Sequence, residues 1–317
     1  MEVMETVNNK IYVEGSNTLR LKWPVGKSIN YGVRIVFDEE GTQNEVKYET
    51  RVTRLKPSAT GEALFQIERI SDVFVNEILP DLIADKLAHA AGKVFYPLII
   101  SVDKNGGFDG IANHQQILKR WEGVKAKIMD NFEGRVIEDY VARMEKQLAL
   151  RENVQMALLQ NDWFLQTLFK PIYKTYGLVN GGISYKFPVL KSLMSDGYFT
   201  RENLQQQEND FGALQLIHEG YLPPGAEDPT APTGSYEGFY ILHPQNKHII
   251  SVVSDLTYRE QTTINIKVKI FMTPENGQPF DHDFAQDKTE AAYADGEGLV
   301  VIDGAPRKSF WYRLLNI

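Results

Sequence analysis

The stretch TTINIKVKIFM, residues 262–272, sets Ile264, Ile266, Val268 and Ile270 at every second position. Side chains two apart share one face of an extended strand, so the segment builds sheet with one apolar side and one wet side. The same alternation fills two separate blocks, and this constrains the chain more than any other feature. The first block covers 17–76. It holds NTLRLKW (Leu19, Leu21, Trp23), INYGVRIVF (Ile29, Tyr31, Val33, Ile35) and EVKYETRVTRL (Val46, Tyr48, Val52, Leu55). It closes with EALFQIERISDVFV, where Leu64 and Ile67 share a face only after a slip, as at a bulge. Gly26, Gly41 and Pro57 with Gly61 mark the turns. The second block starts near 182 with GISYKFPVL, YFTRENLQ, FGALQLIHEGYL, SYEGFYILH and HIISVVSDLTY, and ends in the stretch quoted above. HPQNKH is a turn between two of its strands, and LPPGAEDPTAPTG is a long proline-rich loop.

Between the blocks the period changes to that of a helix. In NEILPDLIADKLAHAAGKV, Leu79, Leu82, Ile83, Leu87 and Ala90 fall on one stripe, with Pro80 in the first turn and Gly92 as the stop. Phe95 to Val102 is a buried strand, Asn105-Gly106 a hairpin turn, and Phe108 to Ile111 the return strand. Asp103, Asn105 and Asp109 in this turn suggest a calcium loop, but twelve positions from Asp103 stands His114 where a bidentate Glu is required. The turn is therefore read as a turn, with Asn113 and Gln116 forming a capping box for the next helix. Ile117, Leu118, Trp121, Val124, Ile128 and Phe132 line that helix, and Val136, Ile137, Tyr140, Val141, Met144 and Leu148 the one after. A further helical stretch carries Trp163, Phe164, Phe169, Tyr173 and Tyr176, with Asp162 as a cap and Pro171 as a break.

The fold class expected is α+β: mostly antiparallel, curved β-sheet or sheets packed against a central group of amphipathic helices. Residues 1–177 form a β-sheet plus helical domain, and 178–272 an antiparallel meander in the same or a second domain. Residues 273–297 are an acidic linker, and 298–317 a C-terminal hairpin or docking tail. The element order resembles the LolA-like half-barrels of lipoprotein carriers. That resemblance implies an open half-barrel; no motif carries it, and function does not follow from layout alone.

Several chemistries find no support. Cysteine is absent, which excludes disulfides, thiolate metal sites and a cysteine nucleophile. The net charge of −8 opposes nucleic acid and anionic lipid. The first residues show neither the basic region nor the apolar run of a secretory signal, and no apolar run is long enough to span a membrane, so the expected location is the cytoplasm. WPVGKS lacks the first glycine of a phosphate loop, because Leu21 stands there. No G-x-S-x-G motif occurs. Among the histidines, His89 lies beside an apolar helix face, and His243 and His248 flank one turn as surface residues close enough to share a metal. Asp281, His282 and Asp283 are the metal candidate, although alternating residues point His282 away from the two carboxylates. The aromatic-basic set Arg307, Lys308, Phe310, Trp311, Tyr312 and Arg313 is the candidate partner-binding surface.

The leading functional reading is a non-catalytic binding or assembly protein with a protein partner and no cofactor, an adaptor or chaperone-like component of a larger complex. The alternatives are a carrier of an apolar small molecule in a half-barrel cavity, and a carboxylate- or metal-dependent hydrolase. No oligomeric state follows from the sequence.

Overall fold

A computed structural model of the chain describes residues 18–79, 83–177, 182–188, 197–205, 213–223, 231–273 and 300–301. The first block of alternation forms β1 (Ser28–Glu39), β2 (Thr42–Arg54), β3 (Ala63–Arg69) and the short β4 (Phe74–Val75). After α1 (Ile83–Gly92) come β5 (Leu98–Val102) and β6 (Phe108–Ile111). Then follow α2 (His114–Asn131), β7 (Phe132–Glu133), α3 (Arg135–Leu148), α4 (Arg151–Asn161) and α5 (Trp163–Leu168). The second block supplies β8 (Ile183–Tyr185), β9 (Tyr198–Leu204), β10 (Leu214–Leu222), β11 (Thr233–Leu242), β12 (Ile249–Arg259) and β13 (Thr263–Met272). A last pair of residues, β14 (Val300–Val301), runs parallel to β7 outside the main sheet.

The two blocks share one open, curved antiparallel sheet. Its order is β6-β5-β3-β2-β1-β13-β12-β11-β10-β9-β8, with β4 paired to β2 beside it. The first and last long strands meet at its centre, where Tyr31 faces Met272 and Glu39 faces Ile264. Alternation holds across the sheet and decides which face is covered. Tyr31, Val33, Tyr48, Val52, Leu256, Val268 and Ile270 are buried on one face, while Lys47, Asp255 and Lys267 on the other make ion pairs at the surface. Such one-sided burial is the normal condition of an antiparallel sheet. Gly32 sits mid-strand in β1, and a Cβ there would fall 2.6 Å from the Phe271 ring that crosses it.

The helical layer is smaller than the sequence pattern implies. α5 rests on β12 and β13, and α4 reaches β6, whereas α1, α2 and α3 pack largely through one another and α4. The link Phe169–Tyr176 continues across the sheet. Phe65 meets Phe169 at 5.6 Å between ring centroids, and the Tyr173 hydroxyl donates to the Lys247 carbonyl at 2.9 Å. All five aromatics of this stretch named above are buried.

Three local expectations are corrected. Residues 18–23 do not form a strand. Among the described ones, Thr18 makes a single bridge to Thr175, and Leu19 and Trp23 are buried without a ladder. The segment's backbone bonds are scattered, with Leu19 N donating to the Lys174 carbonyl and Lys22 N to that of Asn246, so no continuous ladder forms. β3 needs no slip, because Phe65 and Ile67 are its buried pair and its register is unbroken. α1 does end at Gly92, as expected; the residue keeps φ −60° and the chain tightens into a 3₁₀ turn at Lys93–Phe95. Asn113 precedes α2 but makes no side-chain cap. Its Oδ1 accepts from Ile99 N and its Nδ2 donates to the Pro97 carbonyl, so it ties the helix to β5. The turn at 103–107 is as expected: the Asp103 carboxylate accepts the N–H groups of Asn105 and Gly107, and Gly106 takes φ +87°.

Candidate functional site

Where α1, α3 and α4 stand off the sheet, they leave a cavity of about 650 Å³. The alternation of β1 and β2 aims Ile35, Val46 and Tyr48 at it from the sheet. Opposite them, the small side chains Ala88, Ala91 and Ala157 leave the space unfilled, and Met144 and Leu158 give it an apolar wall. The exposed pair Lys93–Asp72, 3.9 Å apart, belongs to the same lining, so the cavity reaches the surface there. Volumes of about 300–1,000 Å³ with a few placed polar groups are typical of small-molecule sites.

One polar group sits deep in this lining. Phe65, Ile67 and Arg69 share the inward face of β3, so the strand ends by turning a guanidinium toward the interior. Its Cζ lies 3.5 Å from the Tyr48 ring centroid and 4.7 Å from that of Tyr96. Both distances suit cation–π attraction. Arg69 Nη2 donates to the Tyr96 hydroxyl at 2.7 Å, and that hydroxyl donates a long bond, 3.4 Å, to Asp162 Oδ2. Asp162 Oδ1 accepts from Leu165 N, which makes Asp162 the expected cap of α5. Burial pushes the Asp162 carboxyl above its usual range, against the opposing pull of the Leu165 N–H and Arg69. Burial also raises the Tyr96 phenol to about 12, although Arg69 opposes it. His89, half-buried as expected, lines the same cavity, and burial with neighbouring Lys93 lowers its pKa.

A second polar cluster lies under the other half of the sheet. Glu202 on β9 faces His218 on β10 in register, and both are buried. Glu202 accepts from the Tyr185 hydroxyl, pairs with Lys174, and lies 3.4 Å from His218 Nε2. Buried Lys170 stands 4.0 Å from the Phe187 ring centroid and 4.7 Å from that of Tyr185. Burial lowers the Lys170 ammonium to about 7, only partly offset by Glu202. None of these residues lines the cavity described above. The cluster's groups answer one another, which reads as an internal charge network.

The histidine turn differs from the surface pair expected. His243 and His248 stack at 4.7 Å between centroids, but His248 is buried against Trp23, 5.5 Å away. Burial, then His243 and Lys27, lower its pKa to about 4. Burial also holds His218 well below the usual histidine range, with Lys170 and Lys174 adding to the effect. Both are neutral when folded and take up a proton on unfolding once the pH falls below about 6.5. The unfolded chain then binds more protons, so stability present above that pH is lost as the pH drops toward 4. Urea midpoints should decline over that interval, and a His248→Phe variant should show a shallower decline. Parallel curves would contradict this origin.

The remaining candidates fall elsewhere. Asp281, His282, Asp283, Arg307, Lys308, Phe310, Trp311, Tyr312 and Arg313 lie outside the described residues. Among the described residues, no group of three or more metal-ligating side chains occurs, and no helix is long and apolar enough to cross a membrane. Sequence reasoning missed Arg69, Glu202 and His218. The available signal was a charged or polar residue at an inward position of an alternating strand.

No protein-family model and no curated protein matches the chain. Among solved structures, one described as lipid-protein interactions in lipovitellin aligns with 80% of this chain at a TM-score of 0.42 and 10% identity. The chain spans 25% of that structure's chain. A likeness of this degree assigns neither a family nor a ligand.

Proposed function

We propose that the chain is a carrier or binding protein for an apolar small molecule, held between the concave face of the sheet and α1, α3 and α4. The observation that supports this reading is the cavity of about 650 Å³ itself. A largely apolar concavity of this size, open at Lys93 and Asp72, offers an apolar ligand dispersion contacts along its lining and a place out of water. The partner-docking reading draws on residues 307–313 and gains nothing from this geometry.

Native mass spectrometry of protein purified without detergent tests the reading. The expected result is a discrete mass excess that organic extraction removes, or one added dodecanol per chain after incubation. A bare polypeptide mass in both cases would overturn it.

A further inference from the structure

Resting on that reading, we infer that the molecule carried is a single-chain amphipathic anion whose acidic headgroup sits on Arg69. The first support is position. Arg69 occupies an inward site of β3, where Phe65 and Ile67 obey the apolar pattern, and it lines a cavity that is otherwise mostly apolar. Placing an arginine there costs desolvation unless the charge finds a counterpart. The second support is unused bonding capacity. A guanidinium has five N–H donors; among the described residues Nη2 donates to the Tyr96 hydroxyl, the Tyr48 hydroxyl takes a weaker bond, and Nε is buried without a partner. Asp162 reaches the guanidinium through Tyr96 and not directly.

The third support is orientation. The Tyr48 and Tyr96 rings hold the guanidinium, and the Tyr96 hydroxyl beside it spends its proton on a long 3.4 Å bond. A carboxylate or phosphate oxygen arriving at this edge gains an N–H donor from Arg69, and the Tyr96 O–H can turn from Asp162 to the newcomer. Arginine suits such anions because its planar fork matches their oxygens. The fourth is the apolar part of the lining: Ile35, Val46, Met144 and Leu158 offer contact that a hydrocarbon tail satisfies, while the charged pair Lys93 and Asp72 lies at the mouth. The volume favours one chain over two, since it lies mid-range for small-ligand sites.

Equilibrium titration with dodecanoate, dodecyl phosphate and dodecanol, each below its micelle threshold, tests the inference and separates the two headgroups. The full chain is expected to prefer at least one of the acids to the alcohol by about ten- to hundred-fold, the span of a charge-assisted hydrogen bond. Arg69→Met should bring that preference close to one while alcohol binding persists. Equal binding of acid and alcohol by the unaltered protein, or a preference that survives in Arg69→Met, would overturn the inference and leave the carrier reading standing. Failure of all three probes to bind would remove the carrier reading, and the inference with it. Asp162→Asn keeps the cap on α5, because asparagine caps as well as aspartate, and removes the nearest carboxylate. It is expected to sharpen the acid preference, and it serves should Arg69→Met not fold; a weakened preference would overturn the inference.

Discussion

Replacing Glu202 by glutamine is expected to destabilise the protein by about 1.5–3 kcal/mol, the scale of hydrogen bonds to a charged group. Glu202 is 5% exposed and serves Tyr185, Lys174 and, at 3.4 Å, His218. Glutamine keeps the shape and one acceptor but leaves Lys174 without its carboxylate. The opposite outcome is expected for Lys170→Met. Lys170 is 3% exposed among Tyr185, Phe187 and Tyr236, and its ammonium is already held down to about 7 by burial. A thioether fits aromatic surroundings well. Glu202 meanwhile keeps Lys174. The gain should be about 1–4 kcal/mol at neutral pH, as when buried ions give way to apolar side chains. It should also depend on pH with a definite sign. Between about 7 and the lysine's ordinary 10.5 the unfolded chain binds a proton that the folded chain does not, so stability is lost as pH falls through that window. The advantage of Lys170→Met should therefore shrink toward pH 10. Chemical denaturation at pH 7 and pH 10 measures both variants; a destabilised Lys170→Met would mean that the ammonium contributes more than its burial costs.

The second large effect concerns the cavity. Ala88→Phe and Ala157→Phe each add a ring to a wall of the space that α1, α3 and α4 leave above β1 and β2. In a fully packed core, such enlargement costs about 1–3 kcal/mol through strain. In an existing void it instead restores contacts, and cavity-filling changes commonly add about 0.5–2 kcal/mol. Ligand affinity should fall at least about tenfold, because the ring occupies volume the ligand needs; each factor of ten corresponds to about 1.4 kcal/mol. Stability and binding are thus expected to move in opposite directions, which a general loss of structure would not produce.

Much of the sheet was legible because each strand repeats a two-residue period over enough positions to fix its buried face. β6 begins and ends at the residues the pattern indicates, Phe108 and Ile111, and Asp162 caps α5 as its place before an apolar stretch implies. The misreadings share a physical cause: they concern pairings that a local pattern does not contain. Leu19, Leu21 and Trp23 alternate like a strand, yet the segment finds only an isolated bridge and scattered backbone bonds instead of a ladder. Asn113 has the spacing of a capping box, but the Ile99 N–H and the Pro97 carbonyl, distant in sequence, claim its side chain. The site was still less visible. Arg69, Glu202 and His218 do interrupt apolar faces, a signal readable along a single strand. That Glu202 and His218 face each other depends on the register of β9 with β10. The cavity depends on how far three helices stand from a sheet, and alanines at 88, 91 and 157 only permit that distance.

The most direct test of the central claim is fluorescence titration of the neutral apolar dye N-phenyl-1-naphthylamine against the unaltered protein and the Ala88→Phe and Ala157→Phe variants. An open cavity predicts one saturable site per chain, weakened or lost in both filled variants while their melting temperatures hold or rise. No saturable binding to the unaltered protein, or equal affinity in stable, filled variants, would contradict it.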